Sequence, residues 1–164
     1  MAEFSVNTYR LDPYKSFRFR VKWDGVYVPG ISHVSALRRV TVAVDERSGA
    51  EPNRDHRSPG RTDWEPIILE RGRTHDTSFE DWANLVWNEG REMSLKNYRK
   101  DIIVELQNEQ GTTVMAFKVH RAWPSEYVAL GQLDSESEAS AIESLTLQHE
   151  GWDRDPSVVE PTQT

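Results

Sequence analysis

The chain has 164 residues, of which 37% are hydrophobic and 29% are charged, and it carries a formal net charge of -7 and no cysteine. This length suits one domain with a real core, and the lack of cysteine excludes a disulfide framework, a thiolate nucleophile and a zinc–thiolate site. A negative net charge with both signs interspersed gives no electrostatic argument for binding nucleic acid or an anionic membrane.

The first 16 residues are polar and contain a turn signal at Asp12-Pro13. They predict an N-terminal arm that is ordered only by what it docks against. The N-terminus lacks the apolar stretch of a signal peptide, and no later segment approaches the ~20 apolar residues of a membrane span. We therefore expect a protein that is made in the cytoplasm without a signal peptide.

The segment from Phe17 to Trp23 has the clearest strand pattern, since apolar and cationic residues alternate along it. Its apolar face predicts core positions at Phe17, Phe19 and Val21. Asp24-Gly25 then predicts a hairpin turn, because glycine accepts the positive φ that the reversal needs. The run from His33 to Val44 is rich in β-branched residues and predicts one further long strand.

Between Asp45 and Glu65 the sequence becomes almost entirely polar, with two prolines, two glycines and ten charged residues. This composition predicts a long charged surface loop, because the segment has little apolar surface to bury. Loops of this length in compact domains are usually functional or disordered. The sequence leaves two interpretations of this segment open: a floppy surface loop, or a loop that becomes ordered against a partner.

After a short apolar strand from Pro66 to Glu70, the spacing of Phe79, Trp82, Ala83, Val86 and Trp87 predicts a helix over about Thr77 to Glu89. Thr77 with Glu80 forms a plausible capping box, and Gly90 supplies the stop. The apolar face of this helix, including Trp82 and Val86, is interpreted as core rather than as a ligand site.

A second hairpin is predicted from Asp101 to Gln107 and from Thr112 to Val119, after which Pro124 is expected to exclude a central strand. The last strand lies within Ala139 to Trp152, where Leu145 and Leu147 alternate with Ser144, Thr146 and Gln148. Ile142 and Glu143 break this alternation. Residues 153–164 predict a flexible C-terminal tail.

Short strands in hairpin order with one helix predict a mainly β protein, an antiparallel β-barrel or sandwich with one flanking α-helix and a long charged loop. The domain boundaries follow as an arm at 1–16, a β-barrel domain at 17–152 and a tail at 153–164.

No motif in the sequence indicates catalysis. The five histidines are scattered without metal-ligand spacing, there is no G-x-S-x-G elbow and no phosphate-binding glycine loop. We therefore expect no enzymatic activity, no metal and no cofactor.

In the order and spacing of several motifs, the sequence resembles the inner tube proteins of contractile tails. These proteins comprise the phage tail tube family and its relatives in extracellular contractile injection systems. Asp12-Pro13-Tyr14 leading into Phe17-Arg18-Phe19-Arg20-Val21 and Asp24-Gly25 is similar to the family's N-terminal strand and hairpin. The other matching segments are Val34-Ser35-Ala36-Leu37, Pro59-Gly60, Ile67 to Gly72, Trp82, Ala122-Trp123-Pro124, Ala141 to Leu147 and His149-Glu150-Gly151. The sequence departs from the family pattern at Val44 to Gly49, where members commonly carry an aromatic-led, glycine-rich stretch.

The resemblance implies a tail-tube-like barrel whose copies form hexameric rings stacked into a rigid tube inside a contractile sheath. Its implied partners are other copies of the chain, the sheath protein, baseplate and tube-cap proteins, and cargo in the lumen, in a phage or phage-tail-like particle that can act outside the cell. A ring-stacking role is expected for charged residues of the loop: Asp45, Glu46, Arg47, Glu51, Arg54, Asp55, Arg57 and Arg61. A lumen or inter-subunit strand face is expected at Arg18, Arg20, Lys22, Ser144, Thr146 and Gln148. Barrel core positions are expected at Phe17, Phe19, Val21, Trp82, Val86, Leu145 and Leu147.

Two alternatives stay open from the sequence. A baseplate-proximal paralogue would start the tube rather than build it. A soluble β-sandwich of a different class would bind carbohydrate or another ligand through Trp23, Trp64, Trp123 and Trp152.

Overall fold

The computed structural model describes residues 18–47, 49–50, 53, 55–87 and 97–159. The described residues form the following elements: β1 Phe19–Trp23, β2 Val26–Tyr27, β3 Ile31–Val34, β4 Arg39–Glu46, β5 His56–Trp64, β6 Ile67–Gly72, α1 Ser78–Val86, β7 Lys100–Gln107, β8 Thr113–Val128, β9 Ile142–Gln148 and β10 Trp152–Arg154. Phe17 of the predicted first strand and residues 1–16 of the predicted arm lie outside this range.

Eight of these strands form one antiparallel sheet with the order β2-β1-β7-β8-β9-β6-β3, in which β10 pairs with β8. Strands β4 and β5 form a separate two-stranded sheet. The expected mainly β, antiparallel fold with one helix is confirmed. The sheet is sandwich-like rather than a closed barrel, because β2 and β3 lie at opposite ends of the described ladder.

The long strand β8 joins the two halves of the sheet. Up to Ala122 it pairs with β7, and from Trp123 onwards it pairs with β9. Arg121, with φ of 49°, lies at the changeover. The prediction that Pro124 excludes a central strand is wrong. Because the described β7 ladder has ended at this point, the missing N–H of proline loses no hydrogen bond on that side.

The core lies between the two halves of the sheet and the helix. Alternate residues of β1, β7 and β8 face it from one half, and alternate residues of β6 and β9 face it from the other. Its fully or almost fully buried apolar residues are Val21, Trp23, Val28, Ile67, Leu69, Phe79, Trp82, Ile102, Val119, Ala122, Leu145 and Leu147. Phe19 and Val86, which were expected in the core, are only half-buried.

The helix is shorter than predicted and begins without the expected capping box. The side chain of Thr77 donates to Asp81 Oδ2 at 2.9 Å and caps no backbone amide. The carboxylate of Asp76 instead accepts from the backbone N–H of Ser78 at 2.9 Å. The predicted end at Glu89 and the stop at Gly90 lie outside the described residues.

Two segment boundaries differ from the sequence prediction. The predicted single strand from His33 to Val44 is two strands, β3 and β4, that belong to different sheets. The predicted flexible tail begins too early, because β10 continues through Arg154 and the amide of Asp155 donates to Ala116 O at 2.8 Å. Among the described residues, no helix is long and apolar enough to cross a membrane.

Candidate functional site

The segment predicted as a charged loop is largely a β-ribbon formed by β4 and β5, so the loop prediction is wrong for most of its length. The two strands pair over Arg39–Trp64 to Glu46–His56, with a register shift between Thr41 and Ala43. A polar strand forms here because ladder hydrogen bonds with β4 hold β5, and no apolar face has to be buried. Glu51 and Arg54, which were assigned to ring stacking, lie outside the described residues.

The charged residues of this ribbon pair with one another. Arg57 Nε lies 3.2 Å from Asp45 Oδ1 across the ladder, and Arg47 Nε lies 3.6 Å from Asp55 Oδ1 near the tip. Arg61 pairs along its own strand with Asp63 at 3.1 Å. All of these side chains are exposed, and exposed pairs contribute about 0–1 kcal/mol each. The ion pairs therefore organise the ribbon only weakly.

One face of the ribbon is apolar and exposed. Val40, Val42 and Val44 alternate along β4, and they are 44%, 52% and 43% exposed. We call these three residues the valine stripe. Gly60 of β5 lies against it, since a Cβ built at Gly60 would meet Val44 Cγ2 at 2.8 Å and Val42 O at 3.0 Å. A two-stranded ribbon is at best marginally stable alone in water, so an exposed apolar stripe on it indicates a contact surface.

The cations expected on the first strand face outward from the β1–β7 half of the sheet. Arg20 Nε lies 2.6 Å from Glu105 Oε2, and Lys22 Nζ lies 3.9 Å from Glu105 Oε1. The Tyr27 hydroxyl donates to the same carboxylate, and the Arg20 guanidinium lies 4.0 Å from the Tyr27 ring centroid. These two cations thus share one carboxylate partner within the chain. Arg18 precedes β1 and is exposed.

The polar residues expected on the last strand face outward from the other half of the sheet. Ser144, Thr146 and Gln148 are half-buried, and they alternate along β9 with the buried residues Glu143, Leu145 and Leu147. Gln148 Nε2 donates to Ser125 Oγ at 3.4 Å. The structure therefore places the two groups of the expected lumen face on the outer sides of different halves of the sheet.

A buried ionic cluster was not predicted from the sequence. Arg71 is 1% exposed and Glu143 is 0% exposed, and Arg71 Nε donates to Glu143 Oε1 at 2.5 Å. Arg73 Nη1 donates to Glu143 Oε2 at 2.5 Å, and the Tyr127 hydroxyl donates to the same oxygen at 3.1 Å. The signal that could have found it is the charge of Glu143 on the apolar face of its strand, which the alternation makes visible.

The other end of Arg71 connects the sheet to the start of the helix. Its Nη2 donates to Asp76 O at 2.8 Å and its Nη1 donates to Asp76 Oδ1 at 3.0 Å. Hydrogen bonds from Ser78, together with the Arg71 charge, lower the pKa of Asp76 to about 2. Burial and the neighbouring Glu143 carboxylate raise the pKa of Tyr127. These shifts follow from a cluster built to hold β6, β9 and α1 together, and no reacting group is needed to explain them.

The tryptophans proposed for a ligand groove do not line one surface. Trp23 is in the core, where its ring centroid lies 4.8 Å from that of Trp82. Trp64 and Trp152 pack edge to face at 5.4 Å, beside the ribbon. In the described part of the chain, no group of three metal-ligating side chains comes together. An open cavity of about 280 Å³ lies near His120 and Lys118, and the His120 ring there pairs with Asp153 at 2.6 Å.

Comparison with known proteins supports a tail tube fold. The model of the family described as T4-like virus tail tube protein gp19 matches residues 15–153. Among solved structures, the chain resembles a chain of the PVC sheath–tube complex, an extracellular contractile injection system in its extended state. The two chains are 25% identical, the match covers 87% of this chain and 91% of that chain, and the TM-score is 0.71.

Two further solved structures share the fold at lower identity. A chain of the tube-terminating cap of the anti-feeding prophage is 22% identical, with 94% of this chain and 99% of that chain covered and a TM-score of 0.75. Hcp1 from Flavobacterium johnsoniae is 17% identical, with 83% of this chain and 93% of that chain covered and a TM-score of 0.53. A comparison with curated proteins gives no match.

Proposed function

This chain belongs to the T4-like virus tail tube protein gp19 family, and we propose that its copies form hexameric rings that stack into a hollow tube for cargo delivery. Family membership makes it a structural tail tube protein of a phage or phage-tail-like particle. The proposal concerns how the subunit is used: ring closure, ring stacking, the lumen wall and the partners.

The observation that carries the proposal is the valine stripe on the exposed β4–β5 ribbon. In a free monomer these three apolar side chains stay partly exposed to water, which is unfavourable. Removing apolar surface from water is favourable by roughly 25 cal/mol per Å². Contact with the next ring would remove this surface from water. We propose that the ribbon, including Asp45, Glu46, Arg47, Asp55, Arg57 and Arg61, is the ring-stacking element.

Ring closure is proposed to use the ends of the sheet. In the described part of the chain, β3 pairs only with β6 and β2 pairs only with β1. Open edges favour pairing with another copy, and a head-to-tail arrangement of copies closes into a ring when the rotation between them allows it. The two ends of one sheet are different surfaces, which suits a head-to-tail contact.

The lumen wall is proposed to include the small polar residues Ser144, Thr146 and Gln148. They lie on the outer face of β9 and carry no charge, so they suit a wall that contacts water and moving cargo. Arg20 and Lys22 lie on the other outer face and are proposed for contacts between subunits or with the sheath. The sheath-tube, baseplate and cap assemblies that contain similar chains support sheath, baseplate and cap proteins as partners. The alternative of a baseplate-proximal paralogue, which starts the tube, predicts short assemblies. A main tube subunit predicts long ones, so assembly length distinguishes the two.

The test replaces one member of the valine stripe with a charge. For Val42→Asp we expect folded monomers or single rings and no long tubes, because a carboxylate on the stripe resists transfer out of water. Val159→Asp is the matched control, since Val159 is 71% exposed and lies outside the ribbon. Negative-stain electron micrographs and light scattering measure assembly length, and circular dichroism checks the fold. Tubes of unchanged length in the Val42→Asp sample would overturn the stacking role.

A further inference from the structure

A second exposed apolar surface lies in the loop between β8 and β9. Leu130 and Leu133 are 51% and 66% exposed, and Ile142, the first residue of β9, is 42% exposed. Gly131 holds the loop against β9, because its N–H donates to Ile142 O at 2.8 Å. We call residues 129–141 together with Ile142 the leucine loop. Apolar side chains grouped on a surface in this way indicate a contact with another protein.

The leucine loop is also acidic. Its sequence includes Asp134, Glu136 and Glu138, and it contains no lysine, arginine or histidine. All three carboxylate side chains are exposed. Arg73 follows β6 beside the loop, but its guanidinium donates to the buried Glu143. The loop therefore presents three negative charges that its own residues do not balance.

The leucine loop and the ribbon lie at opposite ends of the same pair of strands. At one end Ile67 pairs with Leu147, three positions after Trp64, where the ribbon ends. At the other end Gly72 pairs with Ile142, where the leucine loop ends. The five residue steps between these two pairs correspond to roughly 17 Å of strand. A copy displaced along the strand direction can therefore bring its ribbon to the leucine loop of its neighbour.

We propose that the leucine loop is the surface that receives the ribbon of the next ring, with the valine stripe packed on Leu130, Leu133 and Ile142. The occupant is a second copy of this chain. Packing the two apolar surfaces together removes both from water, which is favourable. A contact between two different surfaces at opposite ends of a subunit repeats along one direction, as a stack of rings requires. The inference rests on the proposed stacking role of the ribbon and adds where the ribbon docks.

The charges of the ribbon fit an acidic receiving surface. In its three ion pairs, Arg47, Arg57 and Arg61 are 87%, 74% and 84% exposed, whereas their carboxylate partners are 60%, 60% and 59% exposed. The guanidinium groups thus present more of their surface to an approaching copy than the carboxylates do. Complementary charges select partner and orientation more than they add affinity. The acidic side chains of the leucine loop would therefore orient the ribbon on it.

The first experiment places a charge in the leucine loop. For Leu133→Asp we expect a folded protein and a loss of long tubes, because a carboxylate resists transfer out of water and adds to the negative charge already there. Val159→Asp is again the matched control, since Val159 is 71% exposed, and it should form tubes of wild-type length. Electron micrographs measure tube length, and circular dichroism checks the fold.

The charges are tested separately through the salt dependence of tube growth. Wild-type tubes should grow about two- to fivefold faster at low salt than at high salt, because salt screens exposed charges. In Glu136→Gln combined with Glu138→Gln this ratio should fall towards one. Light scattering measures the growth rate. The same ratio in the variant and the wild type would refute the contact between these carboxylates and the ribbon.

The second assembly experiment mixes two variants that each lack one side of the contact. Val42→Asp keeps an intact leucine loop, and Leu133→Asp keeps an intact ribbon. Neither should stack alone, whereas the mixture should form pairs of rings and no long tubes, because one contact between intact surfaces remains. Light scattering should then show a doubling of the assembled mass. A mixture whose mass stays at that of the separate samples would overturn the docking of the ribbon on this loop.

These results also separate the inference from the proposed function. If Val42→Asp abolishes long tubes and Leu133→Asp keeps them, the ribbon stacks on another surface, and only the role of the leucine loop is refuted. If both variants form tubes of wild-type length, the stacking role of the ribbon is refuted as well. Loss of tubes in both variants together with paired rings in the mixture is the result that we expect.

Discussion

Removing the carboxylate of Glu143 tests the structure most directly, because this group is fully buried and binds three partners. In Glu143→Gln the side chain keeps its shape and loses its charge. Arg71, which is 1% exposed, then remains a buried cation with half of its ionic contacts. It keeps the two hydrogen bonds to Asp76, at 3.0 and 2.8 Å, and its position 4.3 Å from the Phe79 ring centroid.

The expected loss follows from what is left unpaired. Breaking a buried ion pair by removing one partner costs about 3–5 kcal/mol. The contacts with Asp76 continue to neutralise part of the Arg71 charge, so we expect the low end, about 3 kcal/mol. For a domain of this size each kcal/mol lowers Tm by roughly 2–4 °C, so the shift should be roughly 6–12 °C. That is a large fraction of the 5–15 kcal/mol that typically stabilises a domain.

Urea unfolding followed by tryptophan fluorescence provides the measurement. Asp45→Asn is the matched control, because it removes one carboxylate from an ion pair whose side chains are 60% and 74% exposed, and it should cost no more than about 1 kcal/mol. The double variant Arg71→Met with Glu143→Leu replaces both charges with apolar groups and should recover most of the lost stability. A loss below about 1 kcal/mol in Glu143→Gln, or a double variant less stable than the single one, would refute this account of the cluster.

Two further changes test the helix start and the ribbon. The pKa of Asp76 is lowered to about 2 in the folded chain from an ordinary value of ~3.9. The stabilisation by the Asp76 carboxylate is therefore present above about pH 4 and is lost as the pH falls towards 2. Asp76→Asn should flatten the dependence of the urea midpoint on pH in that window, and an unchanged slope of the midpoint against pH would contradict the assignment. In Gly60→Ala the new Cβ would meet Val44 Cγ2 at 2.8 Å, so hydrogen exchange should speed up in the ribbon while Tm of the domain stays within about 2 °C. Gly49→Ala, with no atom within 4 Å of the added Cβ, should leave both unchanged, and equal exchange in the two alanine variants would contradict the packing.

The parts of the fold that the sequence predicted well are those whose stability comes from one buried face. The alternation along β1 predicted Val21 in the core, and the spacing along α1 predicted Phe79 and Trp82 there; all three are buried. In each case a regular period of apolar residues corresponds to a single packing surface. Such a signal is local, so one sequence is enough to read it.

The ribbon could not be predicted in the same way. β5 contains Pro59 and Gly60, which normally argue against a strand, and it has no apolar face. It is a strand because its ladder with β4 satisfies the backbone, and the register shift between Thr41 and Ala43 accommodates the irregular segment. Composition measures what a segment can bury, and this segment buries little.

The buried ionic cluster shows how far the sequence alone could predict the candidate site. Glu143 is visible in the sequence as a charge on an apolar strand face, but its partner Arg71 lies 72 positions away. No local spacing connects the two residues, since they meet only because β6 pairs with β9. A charge that breaks a buried pattern therefore predicts that a partner exists and leaves the identity of the partner open.

The pairing of the ribbon's own charges argues against them as the main source of the free energy of stacking. Arg57 is already paired with Asp45 across the ladder, and Arg47 with Asp55 near the tip. A new ring would have to replace contacts that exist, with little net gain in a solvent that screens exposed charges over about 8–10 Å. The valine stripe has no such internal compensation, because hiding it from water is favourable with any complementary surface. The apolar residues should therefore supply the free energy of stacking, while the charges select the relative orientation of the rings.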